Sequence, residues 1–349
     1  MLVATVGRCC SPACRRLWAI TRRHRNAATA AMQQQQAAAL QGGAAAGLKD
    51  QDRLQLDVED KLGIPREIYE AAGGVRVRQH VNPLKKELQV PTDPPAWAEA
   101  FADPGRPLVL DIGCGYGRFL LALSKEMPGH NMLGLEIRGP IIERANKWAA
   151  SLGLTASVLF LRGNATITLD HTLASYPGPI DLVCVQFPDP HFKARHRKRR
   201  TVQKQLVEAL SRLLAPGARV FLQSDVLEAA EHMRDTFEQH GSAWFAPCQE
   251  LHSGATFQAA SPLRPRAQQQ GQQAQQAQQQ AAAAEAAAEK AGEGQQGQGE
   301  EQQDEQEQWQ SQWASAGWLQ DNPLGVPTER EVLTTGQGLP VYRIMLRRH

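Results

Sequence analysis

Three stretches of this 349-residue sequence carry side chains whose types and spacing could do chemistry. The first is Leu-Asp-Ile-Gly-Cys-Gly-Tyr-Gly at 110–117, an acid followed by the alternating glycines Gly113, Gly115 and Gly117. Glycine lets the backbone approach a ligand closely and adopt φ > 0 without steric cost. The run is therefore a candidate ligand loop. A dinucleotide fingerprint needs a further glycine where this chain has Arg118, a side chain too large for close helix packing, and the Gly-Lys-Ser/Thr of a phosphate-binding P-loop is absent. The second stretch is Phe187-Pro-Asp-Pro-His-Phe-Lys193, in which Pro188 and Pro190 restrict the backbone on either side of Asp189. Taken alone, Asp189 could be a turn residue between prolines. The third follows at once: Lys193, Arg195, Arg197, Lys198, Arg199 and Arg200 place six positive charges within eight positions. Such a run is commonly a solvated face or a targeting tag. Directly beyond a strand end, contact with phosphates is the better reading.

The elements that must hold these groups follow from periodicity. Apolar runs at 108–110, 131–135, 158–161, 182–187 and 220–222 alternate with helix-like stretches at 119–125 and 141–151. A further helix is marked by Leu206, Val207, Leu210, Leu213 and Leu214 and stopped by Pro216-Gly217. Alternation of this kind predicts a parallel sheet with helices on both faces. Ligands of such sheets bind at the carboxyl ends of the strands. Asp111, Glu136, Asn164, Pro188 and Asp225 all fall there. By itself Asn164, after Gly163, reads as a turn former. Its place in the series makes it a candidate ligand contact, since an amide both donates and accepts at a base edge.

Composition bounds the rest. Residues 1–49 contain no Asp or Glu but carry Arg8, Arg15, Arg16, Arg22, Arg23, Arg25 and Lys49, the composition of an organellar transit peptide, with a plain basic tail as the alternative. The Gln-, Ala-, Gly- and Glu-rich run at 266–310 has few apolar anchors and is expected to be a disordered insert. The whole chain has 38 basic and 36 acidic residues, a net +2. Without the leader, 31 face 36; without the insert, whose Arg266 and Lys290 accompany eight acids, 29 face 28, so the core is nearly neutral. Any nucleic-acid affinity must come from local patches. The six cysteines, Cys9, Cys10, Cys14, Cys114, Cys184 and Cys248, form no metal-ligand pairing, so a reduced compartment and no structural metal are expected. No apolar run reaches membrane-spanning length.

The loop Asp-x-Gly-x-Gly-x-Gly at 111–117 resembles motif I of class I methyltransferases. The segment 187–200 resembles the signature of the tRNA (guanine-N7)-methyltransferases, the bacterial TrmB type and its eukaryotic counterparts. Gly-Leu-Glu-Ile-Arg at 134–138, Ser-Asp at 224–225 and Asn-Pro-Leu-Gly-Val-Pro-Thr-Glu-Arg-Glu at 322–331 extend the likeness. So does Arg-Val-Arg-Gln-His-Val-Asn-Pro at 76–83, and the resemblance spans about 75–250 and 318–346. With its extension, the chain looks like a plant or algal organellar member of that family. The departures are the leader and the insert, which puts Thr328–Glu331 far from the core in sequence.

The resemblance implies an α/β, Rossmann-like fold. Its sheet would have seven mostly parallel strands, with 342–346 as the last, antiparallel one, and helices on both faces. It implies S-adenosylmethionine as methyl donor, held by Asp111, Gly113, Gly115, Gly117, Glu136, Arg138, Asn164, Ala165 and Gln186. Glu136 would bind the ribose hydroxyls, and Asn164 with Ala165 the adenine. Asp189 would be catalytic; Lys193, Asp225, Thr328, Glu329, Arg330 and Glu331 would face the substrate, guanine N7 in the variable loop of tRNA. That nitrogen offers an in-plane lone pair and carries no proton. Alignment with the methyl–sulfur bond then matters more than a strong base. A carboxylate can pair with the guanine Watson–Crick edge and offset the charge appearing on the purine. Arg76, Arg78 and His80 stay open between tRNA contact and surface packing. The partners implied are tRNA and, as in some eukaryotic relatives, a β-propeller subunit; no metal and no membrane are expected. The domain reading is a leader at 1–49, an N-terminal arm at 50–106, a core at 107–265, the insert, and the end of the core at 311–349. Of Trp309, Trp313 and Trp318, some should re-anchor the chain after the insert. The destination is a chloroplast or a mitochondrion, the chloroplast ahead, with cytoplasm or nucleus as alternatives. The rivals are a class I methyltransferase for another RNA, a protein or a small molecule, and a non-catalytic RNA-binding subunit.

Overall fold

The computed structural model describes residues 81–192, 194–259 and 309–349. The leader, Arg76, Arg78, His80, Lys193 and nearly all of the insert lie outside the described residues. The chain divides into two compact units, Met1–Gln258 with Trp313–His349, and Ala259–Gln312; the second falls almost wholly outside the described residues.

In the first unit a short helix, α1 (Trp97–Ala100), precedes the first strand, β1 (Leu108–Ile112). Then α2 (Arg118–Glu126), β2 (Asn131–Glu136), α3 (Gly139–Ser151), β3 (Val158–Arg162), α4 (Ala165–Leu173), β4 (Ile180–Gln186), α5 (Lys204–Leu213), β5 (Arg219–Ser224) and α6 (Leu227–Gly241) follow in alternation. The chain continues through β6 (Phe245–Pro247), α7 (Gln249–His252), β7 (Thr256–Phe257), β8 (Trp318–Leu319), α8 (Glu329–Gly336) and β9 (Tyr342–Arg348). Seven strands form one sheet in the order β3-β2-β1-β4-β5-β9-β6. The pairs from β3 to β5 are parallel, and β9 runs antiparallel to both β5 and β6. The antiparallel strand is thus last in the chain but one in from the edge, a place taken by the unanticipated β6.

Burial explains why these segments are strands. β1, β2 and β5 are buried at every residue, as strands covered on both faces must be. Helix α5 buries one stripe, Leu206, Val207, Ala209 and Leu210, whereas α2 is buried all round from Arg118 to Ser124. Helix α4 escapes a pattern search because threonines fill its inner face: Thr168 and Thr172 are fully buried there. Residues 81–106 pack on this same unit. Trp97 stacks with Phe101 and meets Tyr176 edge-on, and Thr92 Oγ1 donates to the Arg162 carbonyl at 2.7 Å. After the insert, Trp318 anchors the chain, buried between Arg234 at 5.2 Å and Tyr342 at 5.8 Å. The two-stranded ladder of β7 and β8 joins the chain on either side of the insert. Cys114, Cys184 and Cys248 are buried free thiols. No described helix is long and apolar enough to cross a membrane.

Candidate active site

Strand β1 is hydrogen-bonded to β2 on one side and β4 on the other, so the chain reverses its direction of winding there. The carboxyl ends of these strands leave a crevice, as such switch points do. Its cavity volume is about 190 Å³, and it opens to solvent at its mouth. Gly113, Glu136, Arg138, Asn164, Ala165, Gln186, Asp189 and Arg199 all line it. Residues from five places in the sequence meet there because parallel strands bring their ends into register.

The glycine loop is built for close approach. Gly113, Gly115 and Gly117 take φ of 79°, 54° and 77°, the left-handed region that L side chains rarely adopt. A Cβ on Gly113 or Gly115 would meet no atom within 4 Å, whereas one on Gly117 would lie 2.5 Å from the Phe160 ring. The first two glycines therefore keep a cradle open, and the third lets α2 start against β3. Arg118, the next residue, is nevertheless buried. It stacks over Tyr116 and Trp148 and pairs with Glu329.

Two carboxylates sit beneath this loop. Glu136 accepts from the Gly115 amide at 3.2 Å and forms a two-pronged pair with Arg138, Nε to Oε1 at 3.0 Å and Nη2 to Oε2 at 2.9 Å. These bonds fix the carboxylate at the strand end and, with Asp189 nearby, raise the Arg138 pKa. Asp111 is buried and accepts from Gln186 Nε2 at 3.3 Å. Burial raises its pKa from 3.8 to about 7, against the lowering effect of the Gln186 bond, and the neighbouring Glu136 adds to the rise.

The Asn164 amide is occupied structurally. It donates to the carbonyls of Pro83 and Leu88 at 3.3 and 3.1 Å and accepts from the Thr166 amide and hydroxyl, capping α4. It thereby joins residues 83–88 to the crevice, and the turn-forming use of this residue is the one the side chain displays.

Asp189 is exposed at the crevice mouth. Its loop is held in an unusual backbone: Phe187 and His191 have φ of 50° and 43°. Side-chain-bearing residues adopt such angles only where their surroundings impose them. The basic cluster beyond does not act as one surface. Arg197 and Lys198 are exposed, Arg199 lines the crevice, and Arg200 is buried behind the loop.

The residues expected from the sequence to face the substrate, on the two sides of the insert, come together. Arg330 Nε and Nη2 reach Asp225 Oδ2 at 2.8 and 2.5 Å, across 105 residues of sequence. Thr328 caps α8, its hydroxyl accepting from the Glu331 amide at 3.1 Å. Glu331 itself points inward and is buried. It accepts from Arg343 at 2.8 Å, Asn322 at 2.8 Å and Gln223 at 3.2 Å. Gln223 in turn donates to Gln186 at 2.7 Å, and Gln186 donates to Asp111. A buried polar chain therefore runs from the end of β1 to α8 and β9. Sequence reasoning missed Gln223 and Arg343. Their only signal is a polar residue inside an apolar strand run, Phe-Leu-Gln-Ser and Tyr-Arg-Ile-Met. Among the described residues no group of three or more His, Cys, Asp or Glu could hold a metal ion.

A parallel sheet with an inserted antiparallel strand, a glycine cradle after β1 and an acid closing β2 define a class I methyltransferase. A family model described as "Putative methyltransferase" matches residues 105–282. The tRNA (guanine-N(7)-)-methyltransferase of Synechococcus sp. (strain JA-3-3Ab) is 40% identical over 275 residues, covering 79% of this chain and 86% of that one. The enzyme of the same name from Synechococcus sp. (strain JA-2-3B'a(2-13)) is 51% identical over 275 residues, covering 79% and 85%. That of Synechocystis sp. (strain ATCC 27184 / PCC 6803 / Kazusa) is 34% identical over 274 residues, covering 78% and 98%. The chain belongs to the tRNA (guanine-N7)-methyltransferase family.

Proposed function

We propose that this protein transfers a methyl group from S-adenosylmethionine to N7 of a guanine in the variable loop of tRNA. The observation that carries the reading is Asp189, a carboxylate on a proline-flanked, conformationally forced loop at the mouth of a crevice lined with glycine and acid. The crevice suits the donor. Gly113 and Gly115 leave open space where side chains would stand, and Glu136 presents a carboxylate at the end of β2. When bound there, S-adenosylmethionine supplies an electrophilic methyl group. Asp111, Gly113, Gly115, Gly117, Glu136, Arg138, Asn164, Ala165 and Gln186 form the proposed donor side. Because the Asn164 amide is already engaged, its part in adenine recognition falls to the backbone around Ala165.

Asp189 does two things in this scheme. It pairs with the guanine Watson–Crick edge, a contact worth about 1–3 kcal/mol of base discrimination. It also places negative charge beside a purine that becomes cationic. No strong base is required, since N7 has no proton to lose. Arg199 in the crevice and Arg197 and Lys198 outside it suit the phosphates of an incoming RNA. The Asp225–Arg330 pair, 15% and 61% exposed, lies where the substrate would arrive, with Thr328 and Glu329 on the same helix end. The cyanobacterial relatives support an organellar enzyme, and the acid-free leader supports import into a chloroplast.

The test incubates the full chain with tRNA and labelled S-adenosylmethionine and cleaves the product with borohydride and aniline. Strand scission at one variable-loop guanine is expected, and Asp189→Ala should abolish or severely reduce it. Label at other positions, or an Asp189→Ala protein as fast as the parent, overturns the reading. Activity of the chain alone also decides whether a β-propeller subunit is needed.

A further inference from the structure

We propose that Arg200 is a positioning residue that braces the Asp189 loop from behind, and not one of the phosphate contacts its place in a basic run suggests. The inference rests on the reading of Asp189 as the catalytic carboxylate. Arg200 is 7% exposed, whereas Arg197 and Lys198, three and two positions earlier, face solvent. Its guanidinium is turned toward the loop. Nε donates to the Pro190 carbonyl at 3.0 Å, and Nη2 donates to the His191 carbonyl at 3.4 Å and to Glu228 Oε1 at 3.3 Å. The two carbonyls are those immediately following Asp189. Glu228, in the first turn of α6, fixes the direction of the fork. The backbone of Arg200 is tied as well: its amide donates to the Arg197 carbonyl at 3.0 Å, and its carbonyl accepts from Gln203 Nε2 at 2.5 Å.

The need for a brace follows from the backbone. Phe187 and His191 bracket Pro188-Asp189-Pro190 with positive φ, a conformation that residues with side chains hold only where the surroundings enforce it. Neither proline has an N–H, so Pro188 and Pro190 cannot donate hydrogen bonds that would hold the loop. The Arg200 fork grasps two of its carbonyls in succession. A buried guanidinium in this role has its donors directed away from solvent, so it has little to offer an RNA phosphate. Lysine cannot substitute for it: an ammonium is a single point on a flexible stem, unable to hold two carbonyls and a carboxylate in one plane.

The experiment compares Arg200→Lys and Arg200→Met with the parent, with Arg197→Gln and with Asp189→Ala, all in the full chain. Turnover is expressed per mole of S-adenosylmethionine bound, so unfolded molecules do not count. Affinity for tRNA is measured over a series of salt concentrations. A carboxylate displaced by about 1 Å can cost two orders of magnitude in rate. Both Arg200 variants should therefore lose roughly ten- to a hundredfold in kcat. Their tRNA affinity and its salt slope should match those of the parent. Arg197→Gln should instead weaken tRNA affinity and flatten the slope by about 0.7–0.9. An Arg200→Lys enzyme with parental kcat, or an Arg200→Met enzyme whose salt slope flattens by that amount, overturns the proposal. If Asp189→Ala remains active, the underlying reading fails; if it is inactive while Arg200→Lys is not, only the brace is wrong.

Discussion

Asp111 illustrates how a carboxyl buried at a strand end lowers stability as pH rises. The side chain is 3% exposed at the end of β1, and burial holds its carboxyl protonated up to about pH 7. In the unfolded chain the same group releases its proton near 3.8. Between these values the folded state binds the extra proton, so the contribution of Asp111 to stability is greatest at low pH. It declines as pH rises toward 7 and stays low above it. Asp111→Asn removes the titration while keeping an oxygen for the Gln186 amide. Its melting temperature relative to the parent should rise between pH 4 and 7 and level off, by a free energy on the order of 4 kcal/mol at most. Calorimetric melts across that range check it, and a difference that does not vary with pH would refute the assignment. The residue's type and its place after a strand are visible in the sequence. Its protonation is not, because desolvation depends on what covers β1.

At the scale of elements, the decisive contact is between α8 with β9 and the end of β5. Arg343 and Glu331 are 6% and 5% exposed and pair at 2.8 Å, with Gln223 and Asn322 completing the bonds of the carboxylate. Removing one member of a buried pair leaves an uncompensated charge, at about 3–5 kcal/mol. Glu331→Ala should lose stability of that order in urea unfolding. Asp170→Ala, which breaks the exposed pair with Arg212, should change it by less than about 1 kcal/mol. Equal effects would mean that Glu331 is not engaged as the geometry has it. The motif containing Thr328, Glu329, Arg330 and Glu331 reads in the sequence as one substrate-side unit. The helix distributes it: Thr328 caps, Glu329 meets Arg118, Arg330 meets Asp225, and Glu331 turns into the core. Residues three and four apart share a helix face while adjacent ones do not, so a contiguous motif points in several directions once α8 docks.

For the molecule as a whole, the insert poses the largest question. The ladder Thr256↔Leu319 and Phe257↔Trp318 pairs the segments that flank it, and the Gln258 side chain donates to the Ser315 carbonyl at 3.4 Å. Closing a loop costs free energy that grows only with the logarithm of its length. Replacing residues 261–308 by a short Gly/Ser linker should therefore leave S-adenosylmethionine affinity and tRNA turnover near parental and shift the melting temperature by a few degrees at most. Loss of donor binding in the shortened protein would show that the insert contributes to the site. The core without leader and insert is nearly neutral, with 29 basic against 28 acidic residues, so the proposed RNA contact would rest on a local patch such as Arg197, Lys198 and Arg199.

The alternation of apolar runs with amphipathic stretches was enough to establish a parallel α/β sheet, and the glycine spacing with its strand-end acids enough to propose a ligand loop. Those features are local, since periodicity and φ preference are properties of a few neighbouring residues. Strand ends were misjudged by one or two positions, and α4 and β6 were invisible, because threonines pack inward in one and the other is three residues long. Which polar side chains face the crevice and which support it was decided only in three dimensions. Asn164 holds the carbonyls of Pro83 and Leu88, Arg200 lies behind a loop, and Glu331 enters the core. Each orientation is set by partners 9 to 108 residues away, such as Leu88, Pro190, His191 and Gln223. Hydrogen bonds across such distances exist only after the sheet has brought its ends together.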